Sequence, residues 1–217
     1  MILYQDDELV AVDKPEGVST LPERDPRRPC VLHTLSEQLG EAPLVVHRLD
    51  KAVSGVLLFA RHAGSHRWLN GLFARRRIRK QYVGVVHGRP SPPEGEIDLP
   101  IRQFGSGRMG VDPDRGKPSL TAYRLLETFA GHSLLELQPL TGRRHQLRVH
   151  LYQIGHPLVG DPLYGDRHDA SGDLRLMLHA REVEFETANG RRLLITCPPP
   201  RSYEREIERL RDAGAGL

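Results

Sequence analysis

Short apolar runs broken by proline, glycine and acidic clusters dominate the chain, a pattern that predicts strands joined by hairpins with few helices between them. ILYQDDELVAVDKP reads as a strand pair around the turn-forming QDDE, stopped where Pro15 follows Lys14. STLPERDPRRPC lacks any period and predicts a surface loop, followed by a helix over CVLHTLSEQLG closed by Gly40. GVLLFAR is too short for a free-standing helix and suits a buried strand. In AGSHRWLNGLFARRRIRK the spacing of Trp68, Leu69, Leu72 and Phe73 predicts a helix that delivers Arg75, Arg76, Arg77, Arg79 and Lys80 at its C-terminal end. QYVGVVHG alternates as a strand, and PSPPEGEIDLPI is a turn-rich passage into another. Residues 104 to 118, rich in glycine and proline, predict a mobile excursion of the kind that carries function. SLTAYRLLETF and SLLELQPL flank AGH as one hairpin, and REVEFETANGRRLLITCP forms a second whose Asn189-Gly190 suits a type I′ turn. RRHQLRVHLYQIG predicts a helix ended by Gly155, and SYEREIERLRDAG an amphipathic one at the end. The element order is that of an α+β fold with a largely antiparallel sheet, without repeats or a clear linker.

A chain of 217 residues suits one domain or a closely joined pair, with a core that needs neither metal nor disulfide. No apolar run approaches the roughly 20 residues of a membrane span, and the acidic N-terminus differs from a signal peptide, so a cytoplasmic protein is expected. Two cysteines, Cys30 and Cys197, are too few for a structural zinc site. The net charge is only +3, yet a pI near 9.0 leaves room for a basic face that a polyanion would want. The absence of a long exposed apolar stripe favours a monomer.

Three chemistries compete for the polar clusters. His145, His150 and His156 invite a metal, with Asp161 nearby, but the first two are five residues apart, where helical zinc ligands sit four apart on one face. Ser54, near His47 and Asp50, lacks the Gly-x-Ser-x-Gly elbow of a serine hydrolase. Five cations within residues 75 to 80 are either a solvated helix end or a phosphate contact, and Arg143, Arg144 and Arg148 form a second cluster that could frame a groove for a nucleic-acid strand. Asp50, in HRLD, is either locally hydrogen-bonded or a reactive carboxylate that Arg148 would keep ionised.

HRLDKAVSGVLLFAR, RKQYVGVVHG, GKPSLTAYRLL, LQPLTGRRHQLRVHLYQIGHPLVGDPLYG and LMLHAREVEF stand in the order and near the spacing of the RluA family of RNA pseudouridine synthases. With LVAVDKPEGV the chain resembles that family from Ile2 to Pro199, and PSPPEGEIDLPI is similar to the short RluA-type members, without an S4 domain, that act on ribosomal or transfer RNA. The resemblance implies one catalytic domain over residues 1–217, with two subdomains about a central cleft, a mixed, largely antiparallel sheet and flanking helices. It implies Asp50 as the catalytic aspartate, Tyr82 stacking on the target base and taking the C5 proton, and Arg148 pairing with the aspartate. Arg48 would enter the helix space left by the flipped uridine. Arg75, Arg76, Arg77, Arg79, Lys80, Lys117, Arg143, Arg144, His145 and Gln146 complete the expected RNA contacts. Moving the ribose from N1 to C5 of uracil needs no redox partner, metal or energy source, so no cofactor is expected. A noncatalytic RNA-binding or ribosome-assembly protein on the same fold is the rival. The chain departs from the family pattern at Val53, where threonine is usual, at Arg144, where threonine or serine is usual, and at FETANG, which lacks a His-Pro.

Overall fold

The run SGVLLFA forms a strand buried at every position, as a continuous apolar stretch with both faces covered should. It is β4 (Ser54–Ala60) of a computed structural model that describes residues 1–25, 27–105, 107–165 and 175–215. The chain divides into two units, Met1–Lys80 with Ala180–Pro198, and Gln81–His179 with Pro199–Leu217.

In the first unit β1 (Ile2–Gln5) and β2 (Leu9–Lys14) pair antiparallel around the acidic turn, where the Asp6 carboxylate accepts the N–H groups of Glu8 and Leu9, both at 2.9 Å. β2 pairs in turn with β4 from Leu9↔Ala60 to Lys14↔Gly55, and the short β3 (Leu44–Val45) pairs with its far end. β11 (Leu178–Glu186) neighbours β4 and carries β12 (Arg192–Thr196) as an antiparallel partner. The core gathers Leu9, Ala11, Val56, Leu58, Leu69, Leu72, Val183 and Phe185, with Trp68 edge-on to Phe185. Helix α1 (Val31–Leu39) ends on left-handed Gly40 as expected. Helix α2 (Ala63–Ala74) starts in a capping box in which the His62 ring accepts the N–H groups of Gly64 and Ser65.

The second unit orders its strands β5 (Arg79–His87), β10 (His132–Pro139), β9 (Leu120–Phe129) and β6 (Glu94–Asp98), all antiparallel. Beside them lie the small pair β7 (Ile101–Gln103) and β8 (Met109–Val111), helix α3 (Gln146–Gln153) and helix α4 (Arg201–Ala215). Tyr203, Ile207 and Leu210 of α4, three and four apart, pack with Val83, Val85 and Met177. The chain passes from one unit to the other within β5 and again within β11. The fold is α+β with a largely antiparallel sheet.

Three local expectations are corrected. Helix α2 stops at Ala74, so Arg75, Arg76 and Arg77 form the turn after it, while Arg79 and Lys80 already belong to β5. Residues 104 to 118 are largely built structure around Ser106, which lies outside the described residues. β8 pairs with β7, the Asp112 carboxylate accepts the N–H groups of Asp114 and Arg115, and Lys117 exchanges backbone bonds with Ile101 at 2.9 and 3.0 Å. Two of its glycines mark close packing: a Cβ on Gly116 would stand 2.4 Å from the Asp112 carbonyl oxygen, and one on Gly110 2.9 Å from the Phe104 ring. In the β11–β12 hairpin only Gly190, φ +80°, is left-handed, whereas a type I′ turn needs Asn189 there too. Gly190 N–H bonds to Thr187 O and Thr187 N–H to Arg191 O, which makes a three-residue loop with glycine in the bulge position.

Candidate active site

HRLD follows β3 outside any helix or strand, and its backbone is pinned on both sides of Asp50. The buried Thr20 hydroxyl donates to Leu49 O at 3.1 Å and accepts Leu49 N–H at 3.3 Å. On the other side, Lys51 O accepts from the Lys14 ammonium at 3.0 Å and from Gly17 N–H at 2.9 Å. Lys14 is fully buried, and its three N–H donors also meet Pro15 O and Val18 O, each at 2.7 Å, so burial of this ammonium is compensated. Val53 N–H closes a turn on Asp50 O at 3.0 Å. A half-buried carboxylate is thus presented on a loop whose backbone has little freedom, as a site of fixed geometry requires. Sequence reading missed Lys14 and Thr20; the signal available was a lysine continuing an otherwise buried strand up to Pro15.

His47 serves the scaffold. Its Nε2 accepts Leu58 N–H at 2.9 Å, and its ring lies 4.9 Å from that of Phe73. Burial, with a smaller contribution from Lys80, depresses its pKa to about 3, which keeps the ring neutral and able to accept. With that nitrogen taken, and with Ser54 buried on β4, the serine-hydrolase arrangement is not formed. Val53 is also buried, so the departure from threonine falls on an interior position. Arg48, two residues before Asp50, is exposed, as are Arg75, Arg76, Arg77 and Arg79; Arg79 contacts Glu184 at 3.3 Å. Lys80 is half-buried, and burial lowers its pKa to about 8.

In the second unit Tyr82 is half-buried on β5, opposite Leu137 of β10. Helix α3 is entered through His145 at φ +56°, an uncommon conformation for a residue with a Cβ. Its ring lies 2.9 Å from the Tyr164 hydroxyl, which itself accepts Met109 N–H at 3.1 Å. Gln146, expected among the RNA contacts, is built into the scaffold. Its oxygen accepts from Thr141 Oγ1 and Arg143 N–H, its nitrogen donates to Leu120 O and Thr121 Oγ1, and this buried amide has all four bonds made. The chain of bonds continues from Thr121 Oγ1 to His150 Nδ1 and from His150 Nε2 to Leu99 O, both at 2.9 Å. A carbonyl can only accept, so Nε2 carries the proton, and burial holds the ring neutral.

Arg148 is buried, and its Nε and Nη2 grip Asp161 at 2.7 Å each. Asp161 also accepts the N–H groups of Leu163 and Tyr164 at 2.9 and 3.0 Å, so the pair closes the turn beyond α3. Arg143 reaches Pro118 O with two nitrogens at 3.3 Å, which ties it to the segment carrying exposed Lys117; Arg144 is exposed. Among the described residues no three His, Cys, Asp or Glu side chains gather as a metal site, and no helix is long and apolar enough to cross a membrane. Of the expected site residues, Arg48, Asp50 and the 75 to 80 cluster belong to the first unit, and Tyr82, Lys117, Arg143, Arg144, His145, Gln146 and Arg148 to the second.

Comparison with known proteins agrees with these motifs. The family model for RNA pseudouridylate synthase matches residues 8–153. An uncharacterized RNA pseudouridine synthase of Zymomonas mobilis is 36% identical over 208 residues, covering 93% of this chain and 94% of the relative. The dual-specificity RNA pseudouridine synthase RluA of Escherichia coli is 40% identical over 184 residues, covering 83% and 84%. Among solved structures, human RNA pseudouridylate synthase domain containing 4 superposes with a TM-score of 0.83 at 28% identity, covering 97% of this chain and 92% of that one. Human RNA pseudouridylate synthase domain containing 1 gives 0.78, also at 28%, covering 97% and 94%. With the HRLD loop and the GRRHQLRVH helix embedded in a fold shared over nearly its whole length, the chain belongs to the RNA pseudouridine synthase family and is an isomerase of RNA.

Proposed function

We propose that this enzyme converts particular uridines of ribosomal RNA, transfer RNA or both to pseudouridine in a cytoplasmic setting, as one catalytic domain of two subdomains acting as a monomer. Asp50 is the catalytic carboxylate. The observation that carries the assignment is the support of its loop: Thr20 and Lys14 fix the residues on either side and leave the half-buried Asp50 side chain as the chemical group presented. The dual-specificity name of the E. coli relative supports more than one RNA class.

In the reaction the C1′–N1 bond breaks and a C1′–C5 bond forms, so the base must leave its stack, turn over and rejoin the sugar. A carboxylate at Asp50 attacks C1′ or removes the 2′ proton on a glycal route; either returns the aspartate at the end. Tyr82 stacks on the turned base and accepts the proton that C5 must lose, while N1 gains one, so nothing is consumed. Arg148, the basic partner that the family resemblance assigns to the aspartate, is itself held in place by Asp161 through Nε and Nη2. Arg48 fills the gap in the RNA helix with a planar guanidinium, where lysine would stack less well. Exposed Arg75, Arg76, Arg77 and Arg144, with Lys117, Arg143 and His145, supply backbone contacts.

The test incubates purified wild type and Asp50→Asn, with EDTA present, with total RNA from a host lacking the gene and maps pseudouridine at single-nucleotide resolution. A site made by the wild type alone is the expected result and names the substrate. RNA bound but left unmodified by both proteins would replace the enzyme reading with a binding module, and activity lost only to the chelator would revive the metal.

A further inference from the structure

The lysines of the first unit differ in how their charge is met. Lys14, fully buried, places its ammonium on three carbonyl oxygens, and Lys51 pairs with Glu23 at 2.8 Å. Lys80 is half-buried on β5, yet among the described residues its ammonium meets neither a hydrogen-bond acceptor nor a carboxylate. Burial lowers its pKa to about 8, so it keeps its proton at pH 7. His47, the first residue of HRLD, is close enough for Lys80 to depress its pKa further; that ring is neutral and supplies no counter-charge. A cation drawn part-way out of water without a partner costs free energy, and such a group points to an anion that arrives with a ligand. The strand decides which way Lys80 faces. Side chains alternate along β5, where half-buried Lys80 and Tyr82 alternate with buried Gln81 and Val83. Arg79, on the face of Gln81, is exposed and reaches Glu184 at 3.3 Å. Lys80 therefore shares a face with Tyr82, roughly 7 Å along the strand, a distance that the four-carbon stem of a lysine spans.

We propose that Lys80 is a further catalytic residue, whose ammonium meets a carbonyl oxygen of the uracil stacked on Tyr82 and stabilises the negative charge of the base while it is detached. When C1′–N1 breaks, the bonding pair leaves with N1 and spreads over O2 and O4. That charge is used up when C5 forms its bond to C1′; the C5 proton then passes to Tyr82 and N1 gains one, so Lys80 ends protonated, as it began. The same charge develops whether Asp50 attacks C1′ or removes the 2′ proton, so the role holds on both routes. A half-buried cation suits it better than an exposed one, because a fixed charge acts more strongly on a developing anion where water is scarce. The exposed arginines after α2, by contrast, are of the kind that meets phosphates in solvent. The inference rests on the proposed reading of Tyr82 as the residue that stacks on the base, and adds the group that stabilises this base as it leaves the sugar.

Wild type, Asp50→Asn, Lys80→Met and Lys80→Arg would be compared on total RNA from a host lacking the gene, by single-turnover pseudouridine formation with enzyme in excess and by filter binding over a salt series. Denaturant titration of the same proteins follows their stability. Lys80→Met should slow the single-turnover step about 100-fold, the loss expected for one donor aimed at a developing anion, with RNA affinity and its salt slope unchanged within about twofold. Lys80→Arg keeps the charge and should recover most of the rate. Lys80→Met should be at least as stable as wild type, since an apolar side chain of similar length replaces a cation without a partner. A slow variant that is also destabilised would assign Lys80 to the fold and overturn the proposal. An unchanged rate with weaker binding and a smaller salt slope also overturns it, in favour of a phosphate contact. If Asp50→Asn is inactive while Lys80→Met matches wild type, the catalytic reading stands and the inference alone falls. If Asp50→Asn is as active as wild type, that reading fails and the inference falls with it.

Discussion

Arg76 and Gly155 occupy the same place in two helix endings. After α2, Arg77 N–H bonds to Leu72 O and Arg76 N–H to Phe73 O; after α3, His156 N–H bonds to Leu151 O and Gly155 N–H to Tyr152 O. Both are Schellman caps with a left-handed residue, φ +56° for Arg76 and +83° for Gly155. A side chain in that conformation costs roughly 1–2 kcal/mol, against a backbone entropy cost for glycine of roughly 0.5–1 kcal/mol. Arg76→Gly should therefore raise stability by up to about 1 kcal/mol in denaturant titration, while an RNA-contacting arginine would be missed as weaker RNA binding. Stability gained with binding unchanged would return Arg76 to a solvated turn.

His47 gives a pH dependence at the same scale. Its folded pKa, about 3, lies below the ordinary value of 6.5, so the unfolded chain binds more protons between the two. Stability is then complete above pH 6.5 and falls as the pH drops toward 3, by up to about 1.4 kcal/mol per pH unit. His150, also held neutral by burial, adds to the slope with the same sign. Urea titrations between pH 7 and 5 should show a shallower loss in His47→Gln than in wild type; equal slopes would mean that His47 protonates in the folded state.

At the scale of elements, α3 depends on two buried polar systems. The Gln146–Thr121–His150 chain ties it to β9, and the Arg148–Asp161 pair ties it to the turn that follows. Removing one member of a buried pair leaves an uncompensated charge, so Asp161→Ala should cost about 3–5 kcal/mol of stability. The double variant Asp161→Ala with Arg148→Ala should cost clearly less than the sum of the single changes, a difference that a double-mutant cycle in denaturant measures. Additive costs would show that the pair contributes no coupling. α2 follows the opposite logic, being amphipathic and held by Leu69 and Leu72 in the first unit's core, with its end closed by backbone bonds.

At the scale of the molecule, a net charge of +3 includes a run of exposed cations, Arg75, Arg76 and Arg77, in the turn after α2. If these meet phosphates, the logarithm of RNA affinity falls linearly with that of salt concentration, and each lost contact reduces the slope by roughly 0.7–0.9. Replacing Arg75 and Arg77 with alanine should reduce it by about twice that amount, measured by filter binding over a salt series. An unchanged slope would remove this turn from the RNA surface.

The main strands, the β1–β2 and β9–β10 hairpins, the helix over α1 and the final amphipathic helix were legible in the sequence because local spacing of apolar residues and turn chemistry determine them, whereas the β7–β8 pair was not. HRLD and GRRHQLRVH were legible too, and with them the family, since a reacting group must keep its residue type whatever surrounds it. The tertiary structure alone decided the duties of Lys14, Thr20, His47, Gln146 and Asp161. A polar side chain says nothing locally about whether its partner will be water, RNA or a backbone group far along the chain. Thr20 meets Leu49 and Gln146 meets Leu120 only after folding, and buried polar groups must find such partners wherever the fold brings them. The segment 104 to 118 followed the same rule, Gly110 and Gly116 marking close contact with Phe104, Asp112 and Pro100 where local composition alone suggests looseness.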